Sequence, residues 1–384
     1  MTHTLLESVR RSLTRAREPV TDASVVEAVK GTSHTPLAGD AVLRLADRVS
    51  RDLTGAGRLQ PLLDDPQITD VMVNGPAEVW IDRGDGLRRA ETSFADAAEV
   101  RSLASRLASA CGRRLDDSNP CVDARLPDGT RLHAVLPPVA VDGPFLSLRT
   151  HRTRRFDLDS LREAGTLTAD SARLVAEIVA AKQTFLVTGG TGSGKTTLLS
   201  AVLGHADPGE RIVVVEDAPE LTVNHPHVLG LQARRPNVEG AGEVDLRELV
   251  RQALRMRPDR IVVGECRGPE VVELLAALNT GHDGSAGTLH ANASADVPAR
   301  LAALALPHGL SPEGLSALVA AALRVVVHMK RVGAARIVSE ISLLEADPRR
   351  AGLSTTPAWR RTDGRGAGWD ALQDLLRGRG EAAT

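Results

Sequence analysis

Hydrophobic side chains first recur at helical spacing at Leu5, Leu6, Val9 and Leu13, which predicts a helix over residues 4–16. Residues 23–30 and 36–53 also read as helices, so residues 1–56 are expected to form a helical N-terminal extension. Near residue 57 the texture changes. Residues 68–73 and 78–81 predict strands, split by the turn signal Asn74-Gly75-Pro76. Residues 97–110 predict a helix, and residues 123–137 and 145–150 short strands punctuated by Pro127-Asp128-Gly129 and Asp142-Gly143-Pro144. Residues 57–150 are therefore expected to be an α+β domain, and the polar, basic stretch 151–158 a linker.

From residue 159 strands alternate with helices. Helices are predicted over 171–181, 195–203 and 245–256, with strands over 184–187, 211–216 and 260–263. In the third helix Leu246, Leu249, Val250, Ala253 and Leu254 share one face, and Asp245 with Glu248 marks its start. Pro269 opens a further helix. Such alternation implies a mainly parallel sheet covered on both faces, so residues 159–346 read as an α/β domain. Residues 324–330 and 335–344 predict an antiparallel pair around Gly333. Residues 347–384, rich in Arg, Gly, Pro and Ala and containing Trp359 and Trp369, are expected to be a mobile tail with one short helix near 370–376.

Composition narrows the function. A chain of 384 residues with 42% hydrophobic positions can bury two or three separate cores. A formal net charge of −2 gives no general electrostatic grip on nucleic acid. Cys111, Cys121 and Cys266 form no C-x-x-C pair and no zinc-type cluster, which suits a reducing compartment. The first 20 residues lack an apolar signal core, and the longest apolar run, 315–323, is half the ~18 residues of a membrane span. A cytoplasmic protein with at most peripheral membrane association is expected. Lys occurs at positions 30, 182, 195 and 330 alone, so its presence at 195 stands out against an Arg-rich background.

Gly189-Gly190-Thr191-Gly192-Ser193-Gly194-Lys195-Thr196 fits the phosphate-loop pattern G-x-x-x-x-G-K-[ST] in full, between a predicted strand and a predicted helix. Glycines let the backbone wrap phosphates with its N–H groups inward, and the helix that follows turns its positive end to the anion. Lys195 is expected to reach the β- and γ-phosphates of ATP, and the Thr196 hydroxyl to hold Mg²⁺; Thr197 completes the phosphate-binding set. Hydrolysis also needs an acid. The apolar strand Arg260-Ile261-Val262-Val263-Gly264-Glu265 ends in one, with Gly264 where an Asp is more familiar. Glu265 is thus a candidate for the catalytic acid and, directly or through water, for Mg²⁺. Glu216, Asp217 and Glu220 end another central strand, and either meet water and metal or form a solvated face. His282 and His290 have no third ligand at metal spacing, so a polar sensor of the γ-phosphate is the favoured reading.

Taken in order, Gly189–Thr196, the acidic stretch 211–221, the Gly-Glu strand 260–270 and the histidine stretch 280–292 resemble the type II/IV secretion (traffic) ATPase superfamily. Arg255-Met256-Arg257-Pro258-Asp259-Arg260, Gly264-Glu265-Cys266-Arg267-Gly268-Pro269-Glu270, Asn279-Thr280-Gly281-His282, Val73-Asn74-Gly75-Pro76 and Leu126-Pro127-Asp128-Gly129-Thr130-Arg131 look like its Tad/Flp pilus-assembly branch. The resemblance implies an N-terminal α+β domain and a RecA-like ATPase domain, a homo-hexameric ring, nucleotide between the domains, and inner-membrane platform partners. It implies that Glu265 polarises water, that Glu216 and Glu220 support metal and water, and that His282 and His290 sense the γ-phosphate. It also implies that Arg131 and Arg149 deliver charge to the phosphates. Cys266 replaces an aliphatic residue, and the four-Cys zinc insert of many type II members is missing. No N/T-K-x-D motif supports a GTPase and no L-S-G-G-Q-like signature a transporter. A hexameric nucleic-acid translocase, a conjugation-associated ATPase and a non-hydrolysing scaffold are the alternatives, with no sequence-specific nucleic-acid contact expected.

Overall fold

The computed structural model describes residues 55–150, 156–234, 236, 241–347 and 352–378. The helices expected before residue 54 and most of the predicted linker lie outside the described residues. The chain divides into two compact units, Met1–Arg152 and Thr153–Thr384.

In the first unit the described elements are α1 (Gln60–Asp64), β1 (Asp70–Asn74), β2 (Val79–Asp82), β3 (Leu87–Arg89), α2 (Ala97–Ala110), β4 (Cys121–Arg125), β5 (Arg131–Val135) and β6 (Phe145–Arg149). The strands form an antiparallel sheet in the order β3-β2-β1-β6-β5-β4. Asp96 starts α2 by accepting the Glu99 N–H at 2.8 Å, the N-cap expected of an acid at that place. Val100, Leu103, Ala104, Leu107 and Ala108 then line one stripe of the helix and pack with Val71, Leu132, Leu146 and Leu148 of the sheet. Strand residues alternate with these, so the opposite face of the sheet carries Asp70, Arg131, His133, Ser147 and Arg149, with Met72 and Trp80 among them. On it, Arg125, Arg131 and Arg149 pair in register across β4, β5 and β6.

The second unit contains α3 (Leu158–Glu163), α4 (Ala169–Ala180), β7 (Phe185–Gly189), α5 (Lys195–Leu203), β8 (Ile212–Glu216), β9 (Val228–Gln232), α6 (Leu246–Leu254), β10 (Arg260–Cys266), α7 (Glu270–Leu278), β11 (Ala286–His290), α8 (Val297–Ala305), α9 (Pro312–Ala322), β12 (Val325–Val332), β13 (Ala335–Asp347), β14 (Gly352–Arg360), β15 (Gly364–Arg365) and α10 (Trp369–Arg377). One sheet runs β15-β14-β13-β12-β7-β11-β10-β8-β9. From β12 to β9 it is parallel, and β13 to β15 add an antiparallel margin. The strands β7 and β8 are buried along their whole length, as a sheet covered on both faces requires. Separate apolar clusters fill the two sides, one with α4 and α5, the other with α6 to α9.

The stretch expected as a mobile tail is corrected here: Gly352–Arg360 is β14, hydrogen-bonded along β13, and Trp359 is buried. Its short run of Ser, Thr and Pro gives little alternation, and its order comes from the long β13 edge beside it. The expected short helix is present as α10.

At the amino-terminal edge of this sheet Arg260 is 1% exposed. It pairs with Glu210 and donates to Gly284 O at 3.1 Å and to Val179 O at 2.9 Å. Burial pushes the Glu210 carboxyl up, but Arg260 and Lys182 outweigh it and hold it below the usual range. Three separate segments are thereby tied to the start of β10.

Candidate active site

The phosphate loop leaves the carboxyl end of β7 and enters α5 at Lys195. Gly194, the residue before the helix, has φ +91°, a left-handed conformation open to glycine. The Lys195 ammonium folds onto the loop, donating to Gly189 O and Gly190 O at 3.1 Å each. It also lies 3.4 Å from His290 Nε2. Burial pulls the Lys195 pKa down, and the Glu265 carboxylate opposes that.

Neighbouring parallel strands bring the other groups to the same edge. β11 runs beside β7 with His290 opposite Gly189. β10 follows, and its register shifts between Val263 and Cys266. A bulge of this kind turns side chains off the regular alternation. Glu265 sits in it, with Oε1 2.8 Å from His290 Nε2 and Oε2 paired to Arg267. The Thr288 hydroxyl donates to Gly264 O at 2.6 Å and pins the two strands together at this point. Burial lowers the His290 pKa, with the Lys195 cation acting in the same direction and Glu265 against it.

Glu216 ends β8, the next strand. It is buried, and its Oε1 accepts the N–H groups of Glu220 and Leu221 at 2.9 and 3.0 Å. A Cβ on residue 264 would lie 2.6 Å from Glu216 Cγ. The glycine in the Gly-Glu ending is therefore the space that admits a carboxylate from the adjacent strand. Cys266 packs in the apolar cluster, and burial pushes its thiol far up, so it is an inert core residue.

The structure thus brings Gly189–Thr196, Glu216, Glu220, Glu265 and His290 to one edge of the sheet. His282 is a correction. Ala286 opposes Phe185 and His290 opposes Gly189, so β11 spans the sheet between the two histidines. His282 precedes that strand at the far edge, where its Nδ1 lies 3.1 Å from Ala277 O at the end of α7. It does not meet the phosphate loop of its own domain. Arg131 and Arg149 belong to the first unit, where they stand opposite one another on β5 and β6, with Arg149 Nε 3.0 Å from Asp70 Oδ1.

Sequence reading gave no site role to Arg267, quoted only within a family motif, and none to Arg336. Arg267 holds Glu265 and lies 3.8 Å from Asp217, while Arg336 Nε donates to Gly192 O at 3.0 Å. Arg267 was visible as a cation two positions from the acid; Arg336, far along the chain, gave no local signal.

The hydroxyl of Thr196 and the carboxylates of Glu265 and Glu216 are hard oxygen donors, the set Mg²⁺ takes. Among the described residues no group of three or more His, Cys, Asp or Glu forms a metal cage of its own. Ser193 Oγ is buried in the loop without a hydrogen-bond partner among the described residues, an unmet polar demand inside the cradle.

A phosphate loop and acids gathered at the carboxyl ends of adjacent parallel strands define a RecA-like P-loop domain, here preceded by a smaller α+β domain. The profile described as type II/IV secretion system protein matches residues 52–348, and the chain belongs to that family. It is 54% identical over 338 residues to a putative conjugal transfer protein of Mycobacterium tuberculosis, covering 86% of this chain and 96% of that protein. It is 34% identical over 316 residues to the type IV secretion system protein PtlH of Bordetella pertussis, covering 74% of this chain and 92% of PtlH. The ATPase DotB of Legionella pneumophila shares the fold, with a TM-score of 0.53 and 20% identity over 76% of this chain and 81% of DotB. Among the described residues no helix is long and apolar enough to cross a membrane.

Proposed function

We propose that the chain is an ATP-hydrolysing motor, working as a homo-hexameric ring at the cytoplasmic face of the inner membrane, that drives a secretion or pilus-assembly machine. The observation that carries this is the joining of Lys195, His290 and Glu265 at the mouth of the phosphate loop. The loop binds the phosphates and Lys195 carries their charge. Glu265, steadied by His290 and Arg267, accepts a proton from the attacking water. Glu216 and Glu220 hold further water at the end of β8. Thr196 and the acids would hold Mg²⁺, and the ion would supply positive charge to offset the negative charge developing on the phosphates.

The motifs at 255–270 and 279–282 favour a Tad/Flp-type pilus machine with inner-membrane platform partners. The likeness to a putative conjugal transfer protein of M. tuberculosis favours a conjugation-type system as the second reading. Salt-sensitive stimulation of turnover by nucleic acid would select the latter. The purified full-length chain is expected to hydrolyse Mg²⁺-ATP and to lose binding and turnover in Lys195→Ala. Light scattering with a non-hydrolysable analogue should give a mass near that of about six subunits. A monomer without turnover would overturn the motor.

Arg131 and Arg149 are proposed to reach the phosphates when the units close on nucleotide. Their side-by-side register supports a joint role. Arg131→Ala and Arg149→Ala are expected to lower kcat, toward about 10³-fold, more than they weaken binding. Measured kcat and nucleotide affinity, with circular dichroism for the fold, check this; wild-type kcat in both variants removes the finger role.

A further inference from the structure

The groups suited to hydrolysis all stand on one side of the phosphate loop. His290, Glu265 and Glu216 lie on β11, β10 and β8, the strands that follow β7 in that direction across the sheet. Lys195 turns its ammonium the same way, toward His290. A nucleoside triphosphate whose terminal phosphate meets these groups must send its sugar and base out over the other neighbour of β7.

That neighbour is β12. It is parallel to β7, with Met329 opposite Gly189, so residues 330–332 run past the carboxyl edge beside the loop. The chain then turns at Gly333 and returns in β13. From Lys330 to Arg336 every residue is exposed, and three of the seven are cations: Lys330, Arg331 and Arg336. Exposed cations on a hairpin are usually solvated, but Arg336 bonds to the loop, and Arg331, whose Nε donates to Gly333 O at 3.1 Å, reaches beside it. Arg336 Nε donates to Gly192 O at 3.0 Å, and its Cδ is 3.2 Å from where a Cβ on Gly194 would stand. Arg331 Nη1 is 3.7 Å from where a Cβ on Gly192 would stand. A side chain at either glycine would occupy the ground between hairpin and loop.

The ligand chemistry follows from the side chains. The chain has no Tyr, and none of its four Phe and three Trp lies in the loop or the hairpin, so no aromatic shelf for a base is available from either. A guanidinium is planar, stacks on π-faces and donates in a fork, and so serves both a base and an α-phosphate. We propose that the β12–β13 hairpin is the nucleoside side of the site, where Arg336 and Arg331 receive the base, sugar and α-phosphate of a nucleoside triphosphate. This role presupposes the phosphate-loop reading above.

The test compares two ligands that share a triphosphate and differ in the nucleoside: ATP and inorganic tripolyphosphate, both with Mg²⁺, titrated calorimetrically into the full-length chain. Arg336→Ala and Arg331→Ala are each expected to weaken ATP about tenfold and leave tripolyphosphate within about twofold of wild type. Arg336→Lys, which keeps the charge and loses the plane, is expected to stay weak for ATP. Equal losses for both ligands would mean that the arginines only brace the loop, and would overturn the proposal, as would no loss for either or full recovery in Arg336→Lys. If wild-type protein binds neither ligand, the phosphate-loop reading itself fails, which is a different result from a selective failure of the hairpin.

Discussion

Glu265→Gln is expected to keep nucleotide bound while hydrolysis falls by about 10²–10⁴-fold, the range a positioned general base supplies. The amide preserves the shape that fits between His290 and Arg267, so the resting geometry survives. It removes the negative charge and the basic oxygen. Binding rests on the loop and on Lys195, whose hydrogen bonds to Gly189 O and Gly190 O do not involve Glu265. Single-turnover rates and nucleotide affinity, measured on the same preparation, separate the two effects. Normal turnover in Glu265→Gln would show that another group activates the water.

Arg260→Ala is expected to destabilise the second unit by about 3–5 kcal/mol, the cost of breaking a buried ion pair from one side. Glu210 would keep Lys182 as a partner, at 2.8 Å, but Lys182 is half-exposed and cannot replace the buried fork. The carbonyls of Gly284 and Val179 would lose their donor as well. Denaturant unfolding monitored by circular dichroism checks it. A loss below about 1 kcal/mol would mean that Arg260 behaves like a surface charge.

The sequence by itself carries what is written locally. The phosphate loop is contiguous, its strand and helix flank it, and α2, α5 and α6 announce themselves by their stripes and starts. The antiparallel pair β12 and β13 was legible from two apolar runs around Gly333. What depends on strand order was not. His282 and His290 are close in the chain, yet His282 precedes a strand of five residues that ends at His290, which sets them at opposite edges of the sheet. Arg336 is 144 residues from Gly192, and only the placing of β12 beside β7 brings them together. β14 was hidden because its order is borrowed from a partner strand. Gly264 looked like a departure from an acidic pattern until Glu216 was seen to need the space.

Lys195 has a further thermodynamic consequence. Its ammonium already donates to two carbonyls of its own loop. An arriving phosphate would compete with partners that the protein already supplies. Binding at this lysine is an exchange, and the measured affinity reports the difference between two well-satisfied states rather than the strength of the ammonium–phosphate contact. In the proposed cycle the same exchange would return the loop carbonyls their donor on product release, so release would have a compensating partner waiting.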